Sequence, residues 1–333
     1  MKLEDIGFYT LCDERTDNLS PTSPMWRCEM ILTERCNFKC PYCRGLREGC
    51  QGDMPLDRAS DVLAQWMEQG LKHVRFSGGE PLLYPHLEAL VTLCAKGGVE
   101  RIAISTNGSF RRERYEELWA KGVSDFSISF DACCASECGK MSGTNDKLFE
   151  RLTSNIRYLS QYTYVTVGVV LTDDNAASLS DIVQLAHNLG VADIRIIPAA
   201  QEGTMIKGVE AIPQEILDCH PILAYRVKNI LAGRPVRSIE EYDSHRCHIP
   251  VDDSVVAGRY HFPCVIYMRE QGDPIGEVGP NMRAERIAWS EQHNSYDDPI
   301  CRANCLDVCV DHNNKCQARS LHIGSWHNWS LDK

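Results

Sequence analysis

The 333-residue chain lacks any apolar run long enough to cross a bilayer, since a spanning helix needs about 20 consecutive apolar residues. No membrane partner is expected. Positive charge is also in short supply. Lys and Arg number 35 against 46 Asp and Glu, a formal net charge of −11. Nucleic-acid binders depend on clustered cations that displace counterions from phosphates, and no basic stripe is present, so no nucleic-acid partner is expected. A nucleotide-sized substrate stays compatible with this charge. The first 24 residues carry scattered charge and no apolar segment of the secretory kind, so a cytoplasmic location is expected.

Cysteine, by contrast, is abundant at 17 residues. In a long chain without a secretory segment, such usage points to metal ligation or catalysis rather than to a disulfide framework. The cysteines are grouped at 36–43, 133–138 and 301–316. Grouping favours ligands over scattered core thiols.

Residues 1–25 read as an irregular lead-in. A rhythm then begins, with strands expected at 27–33, 72–76, 101–105, 125–130, 162–170 and 193–198. Between them, helical periodicity occupies 56–69, 85–96, 111–121, 147–159 and 177–188. Alternation of this kind builds parallel βαβ units with right-handed crossovers. The expected fold class is α/β, doubly wound or barrel-like. Four unusual segments fall just past strand ends: Cys36, 77–80, 106–108 and 131–134. One shared rim at the C-terminal ends of the strands favours a partial (β/α)6 TIM-like barrel over residues 26–205. The rhythm then breaks. A helix at 212–231 interrupted at Pro221, a hairpin between Cys247 and Cys264, and a cysteine-rich tail make up a small C-terminal domain, 206–333.

Cys36, Cys40 and Cys43 stand as CxxxCxxC. Thiolates are the natural ligands of iron–sulfur clusters. Three of them hold three irons of a cubane and leave the fourth open, as a catalytic metal site requires. Taken alone, the triad equally allows a zinc knuckle or structural thiols. Its context narrows the choice: it follows the first strand, Tyr42 precedes the third cysteine, and Gly78-Gly79-Glu80-Pro81 follows the second strand.

With these motifs, residues 26–200 resemble the radical S-adenosylmethionine (SAM) superfamily, closest to the branch of molybdenum-cofactor and pyrroloquinoline-quinone maturases. The resemblance implies a [4Fe–4S] cluster on Cys36, Cys40 and Cys43, with SAM on the open iron. It also implies a 5′-deoxyadenosyl radical that takes hydrogen from a substrate, and a reductase such as flavodoxin or ferredoxin. Gly78 and Gly79 would let backbone approach the ligand, Glu80 would receive the SAM ammonium, and Tyr42 would touch the adenine. Ser105, Thr106 and Asn107 match the ribose- and carboxylate-binding region. Ser127 and Ser129 share one face of the fourth strand, and Ile196 and Pro198 match the adenine wall. Read without the family, the glycine segment is a turn, and the serines, Ile196 and Pro198 are core positions.

In the tail, Cys247, Cys264, Cys301, Cys305, Cys309 and Cys316 resemble a Twitch or SPASM auxiliary-cluster domain. The spacing departs from that pattern: the four cysteines from 301 to 316 contain no CxxC pair. One second [4Fe–4S] cluster is therefore expected rather than two, with the choice of ligands open. On a helix, Cys301, Cys305 and Cys309 would share a face. Zinc is the alternative occupant, and His245, His248, His261 and His312 are further candidate ligands. Cys133 and Cys134 offer a thiol that gives hydrogen to a substrate radical, or else small buried hydrophobes; Asp131 before them contacts substrate or SAM, or caps a turn.

The expected function is hydrogen abstraction from a polar small molecule, leading to oxidation assisted by the auxiliary cluster. Redox-neutral epimerisation or peptide modification by the same radical is the alternative. A non-catalytic iron–sulfur or zinc sensor would explain the cysteines but not the glycine motif or the barrel rhythm.

Overall fold

Apolar runs bounded by glycine and polar turns become the strands of one sheet in the computed structural model, which describes residues 13–200, 206 and 208–327. Residues 1–12 of the expected lead-in lie outside the described residues. A short helix α1 (Asp13–Asn18) precedes the series. It continues as β1 (Arg27–Ile31), α2 (Leu56–Glu68), β2 (His73–Ser77), α3 (Leu87–Lys96), β3 (Arg101–Thr106) and α4 (Arg112–Ala120). Next come β4 (Asp125–Ser129), α5 (Ala135–Ser142), α6 (Leu148–Leu159), β5 (Tyr164–Leu171), α7 (Leu179–Asn188) and β6 (Asp193–Pro198). Each expected strand and helix of the barrel is present. The helix α5, directly after the Cys133–Cys134 pair, is an addition.

The helices bury one stripe each. In α2, Ala59, Val62, Leu63 and Trp66 repeat at helical spacing and face the sheet, which is the apolar stripe expected of a helix lying on a core. The strands are covered by helices and are buried along most of their length, as parallel strands are; the first four residues of β3 and of β4 are buried without a break. The six strands pair in parallel in the order β6-β5-β4-β3-β2-β1, the α/β barrel-type sheet that the alternation implies.

The chain then breaks into α8 (Gln214–Cys219) and α9 (Pro221–Leu231), with Pro221 at the start of α9 where its missing N–H costs nothing. The expected hairpin is found as β7 (Asp253–Ala257) and β8 (Tyr260–Phe262), antiparallel to each other. It does more than the sequence suggests, because β7 also pairs in parallel with β1, Ile31 opposite Ala257. A short β9 (Gly276–Glu277) completes a single nine-stranded sheet. The cysteine-rich region, with α10 (Val265–Arg269), α11 (Met282–Gln292), α12 (Pro299–Asn304) and α13 (Asp307–His327), is thus joined edge-on to the barrel.

Buried arginines fasten this junction. Arg286 is fully buried and donates to the carbonyls of Pro250, Phe262 and Asp253. Arg15 of α1 forms an ion pair with Asp252 at the entry to β7, and Arg226 of α9 pairs with Asp307 at the start of α13 at 2.7 Å. Among the described residues, no helix is long and apolar enough to cross a membrane.

Candidate active site

The register brings the C-terminal ends of β1, β2 and β7 level: Ile31 lies beside both Ser77 and Ala257. The loop after β1 and the turn after β2 therefore leave the sheet side by side. The Gly79 N–H donates to the Thr33 carbonyl at 2.7 Å, and the Glu80 N–H to the Arg35 carbonyl at 2.8 Å. A Cβ on Gly78 would strike the Thr33 carbonyl, and one on Gly79 the carbonyls of Glu34 and Arg35. Gly78 also sits at φ 150°. The glycine pair is a contact surface for the root of the cysteine loop, which no side chain permits.

Above this contact lies a cavity of about 390 Å³. Cys36, Cys40 and Cys43 all line it. The Cys36 sulfur accepts the Phe38 N–H at 3.4 Å and faces the Asn107 amide at 3.9 Å. That amide also donates to Asn37 at 2.7 Å, while Ser109 holds the Asn107 oxygen and accepts from Asn37. Burial raises the Cys36 thiol pKa and pushes Cys40 up to about 12. A cation in place of the protons would reverse that penalty. Three thiols from one loop on one cavity fit a cluster with an open iron.

The other expected residues divide. Gly78, Gly79, Ser105, Thr106, Asn107, Ser129 and Pro198 line the cavity. Tyr42 lines it too, with its hydroxyl donating to Asp131, whose other oxygen accepts the Val170 N–H at 2.6 Å. Burial pushes the Asp131 carboxyl up to about 6. Glu80 does not line the cavity. It is fully buried beneath it, and its oxygens accept from Leu82, Thr106 and Asn107 at 3.1, 2.9 and 2.7 Å. Its acceptor capacity goes to the loop after β3 and the turn after β2, and burial lifts its pKa to about 7. Ser127 lies deeper in the barrel, bonded to the guanidinium of Arg195 on β6. Ile196 is fully buried in the core.

Cys133 and Cys134 lie off the cavity, beside Glu137, with their ligand atoms within 4.8 Å of one another. Asp131 turns inward at the end of β4, and the chain then swings out to begin α5 at Cys134. The thiol of this segment that does line the cavity is Cys138, on the buried side of α5. In the sequence it stands apart from the adjacent pair and carries no spacing motif of its own. Burial pushes it up to about 11.

In the tail, Cys247, Cys264, Cys301 and Cys305 are each raised by burial and by thiols of the set that they form with Cys309. Cys305 shares a hydrogen bond with Cys309. They do not sit on one helix: α12 ends at Asn304, Cys305 is extended, and α13 begins at Asp307. The corner between the two helices, rather than an i, i+4 face, brings them together. Cys316 is apart. It is buried on α13 with its sulfur 3.6 Å from His312, and burial is the main cause of its raised pKa. Of the other expected histidines, His245 bonds the Glu241 carbonyl, His261 bonds Glu285, and His248 is buried with its pKa pushed down to about 4. Beside one of the five grouped thiols stands His293, 3.7 Å from the Cys301 sulfur, stacked on Trp289 and 3.6 Å from Asp298. No motif marks it. Five converging thiols, half-buried or buried, fit a second cluster with one ligand to spare.

Residues 30–186 match the family described as the Radical SAM superfamily. The curated relatives include GTP 3′,8-cyclases. That of Mannheimia succiniciproducens is 34% identical over 146 residues, covering 42% of each chain. That of Clostridium perfringens is 29% identical over 188 residues, covering 54% of this chain and 57% of the relative. The chain thus spans about half the length of the curated relatives it matches. Among solved structures, Streptococcus suis SuiB bound to S-adenosylmethionine superposes with a TM-score of 0.57 at 13% identity, over 84% of this chain and 67% of SuiB. Native anSMEcpe with bound AdoMet and a peptide gives 0.51 at 14%, over 91% and 99%. These likenesses concern the fold.

Proposed function

We propose, from the match of residues 30–186 to the Radical SAM superfamily, that the protein cleaves SAM reductively and abstracts hydrogen from a polar small molecule. Cys36, Cys40 and Cys43 would hold a [4Fe–4S] cluster, which would supply the electron for reductive cleavage of SAM. An electron donor of the flavodoxin or ferredoxin type completes the system. The observation that carries the reading is the docking of the Gly78–Gly79 turn onto the root of the same loop whose three thiols line the cavity.

The chain's own residues do the positioning. The Asn107–Asn37–Ser109 amide cage fixes the Cys36 side of the loop. The Tyr42–Asp131 hydrogen bond ties the loop to the end of β4. Ser105, Ser129 and Pro198 offer walls for a nucleoside. Phe38, Phe130, Met141, Leu152 and Ile197 supply an apolar part of the lining, which favours exclusion of water from a reactive intermediate. Glu80 acts from below by fixing Thr106 and Asn107.

Residues 206–333 form the auxiliary region, where four of Cys247, Cys264, Cys301, Cys305 and Cys309 hold a second [4Fe–4S] cluster. Arg237, which lines the cavity, donates to the Asn304 carbonyl beside Cys305, and a cluster held there would supply an electron acceptor for an oxidation. A redox-neutral course is the second reading, and the placement of Cys138 on the cavity favours that thiol over Cys133 or Cys134 as hydrogen donor. Electron paramagnetic resonance of the dithionite-reduced, reconstituted protein tests the assignment. Adding SAM should change the signal of the Cys36/Cys40/Cys43 cluster; an unchanged signal would reject SAM ligation.

A further inference from the structure

Three arginines line the cavity in a chain whose net charge is −11: Arg44, Arg237 and Arg269. They come from three distant places. Arg44 follows Cys43, Arg237 follows α9, and Arg269 ends α10. Each is half-buried. Arg44 forms an ion pair with Glu270. Arg237 and Arg269 have no carboxylate partner among the described residues. Arg269 donates to the carbonyls of Gly45 and Gly78 at 2.7 and 3.0 Å. Arg237 donates to those of Pro198 and Asn304, both at 3.3 Å. Neutral carbonyls orient a guanidinium without cancelling its charge. The acids at the cavity do not cancel it either: Asp131 is committed to Tyr42 and Val170, and Glu34 is exposed at the mouth with no ion pair.

Position gives the arrangement its meaning. Arg44 directly follows Cys43, and Arg269, five residues after Cys264, donates to the Gly45 carbonyl two residues after Cys43. Arg237 donates to the Asn304 carbonyl and bridges to Leu306, on either side of Cys305. The cations therefore line the cavity while tied to both cysteine sets, and Phe38, Phe130, Leu152 and Ile197 supply an apolar part of the lining. Gathering like charges away from bulk water is unfavourable unless an anion joins them, and guanidinium groups held by their neighbours match the two-oxygen edge of carboxylate or phosphate.

Resting on the proposed radical SAM reading, we propose that Arg237 and Arg269 form the binding site for an oxyanion group, phosphate or carboxylate, of the substrate. The substrate then lies with its charged end between the two cysteine sets and its reacting carbon toward the Cys36/Cys40/Cys43 loop. Two other anions compete for the assignment: the SAM carboxylate, and the thiolates of the tail.

Calorimetric titration of the anaerobically reconstituted, SAM-saturated protein with inorganic pyrophosphate and, separately, with succinate tests this. At least one probe should bind. Arg237→Gln and Arg269→Gln should each weaken it by about tenfold or more, the loss expected for a charge-assisted hydrogen bond, and Arg237→Lys should weaken it less. SAM affinity and the iron–sulfur absorbance should be unchanged in all three. The proposal is overturned if neither probe binds, or if both Gln variants bind as tightly as wild type. It is also overturned if the variants lose SAM, which assigns the arginines to its carboxylate, or lose tail-cluster absorbance, which assigns them to the thiolates. Wild-type protein that binds a probe yet forms no 5′-deoxyadenosine keeps the anion site and removes the radical reading; the reverse result removes only the anion site.

Discussion

The N–H of Gly79 donates to the carbonyl of Thr33 at 2.7 Å, and the space where a Gly79 Cβ would stand is filled by the carbonyls of Glu34 and Arg35. This contact joins the turn after β2 to the loop that carries Cys36, Cys40 and Cys43. Gly79→Ala must push the two backbones apart. The expected cost is about 1–3 kcal/mol, that of overpacking a tight site, read from denaturant unfolding. The displaced loop should also retain less iron after reconstitution than wild type. A variant with wild-type stability and iron content would show that the contact does not organise the loop.

Glu80 gives a pH signature. Burial raises its pKa from the ordinary 4.5 to about 7 in the folded protein. Below about pH 4.5 it is protonated whether folded or unfolded, and it makes no pH-dependent difference. Between 4.5 and about 7 the unfolded chain releases the proton while the folded chain keeps it, so stability falls as pH rises; above 7 the difference is constant. Glu80→Gln removes this titration. Wild type should lose stability relative to the variant across pH 4.5–7, by an amount on the order of 3 kcal/mol for the full shift. Parallel stability–pH curves would show that Glu80 is not the titrating group.

The tail cysteines are separable by iron content. Cys316 is bonded to His312 and apart from the other five, so Cys316→Ala should keep the iron of wild type. Cys247→Ala and Cys264→Ala should lose part of it. The Cys36/Cys40/Cys43→Ala triple variant should keep residual iron–sulfur absorbance from the tail. Loss of iron in Cys316→Ala, or none left in the triple variant, would contradict the grouping of five.

The barrel and its loop cysteines were legible because their signals are local. The CxxxCxxC spacing, the glycine pair and the strand–helix rhythm each occupy a few consecutive residues, and each reappears where expected. The parallel pairing of β7 with β1 was not legible, since it joins residues more than 220 positions apart and the local pattern reads equally as a free hairpin. The same holds for Arg237, Arg269 and His293, which no motif marks and which only this long-range pairing and the corner between α12 and α13 bring to the cysteines. Glu80 lies beneath the cavity and Ser127 deeper in the barrel, levels that no local pattern marks. Sequence alternation gives the face of a strand, not the depth at which a neighbour such as Arg195 captures the side chain.

The corner itself depends on the ion pair between Arg226 and Asp307, both buried and 2.7 Å apart. Asp307→Ala leaves the guanidinium buried without its partner, a change that costs about 3–5 kcal/mol. Because Asp307 opens the helix bearing Cys309, iron in the tail should fall with it. Unfolding curves and iron content that match wild type would show that the pair does not hold the corner.

The central claim is that the cavity beside Cys36, Cys40 and Cys43 cleaves SAM. Its most direct test is 5′-deoxyadenosine formation by the anaerobically reconstituted protein with dithionite and SAM, followed by chromatography. The expected result is product from wild type and none from Cys36→Ala. Intact cluster-loaded wild type that yields none, with or without candidate substrates, would contradict the claim.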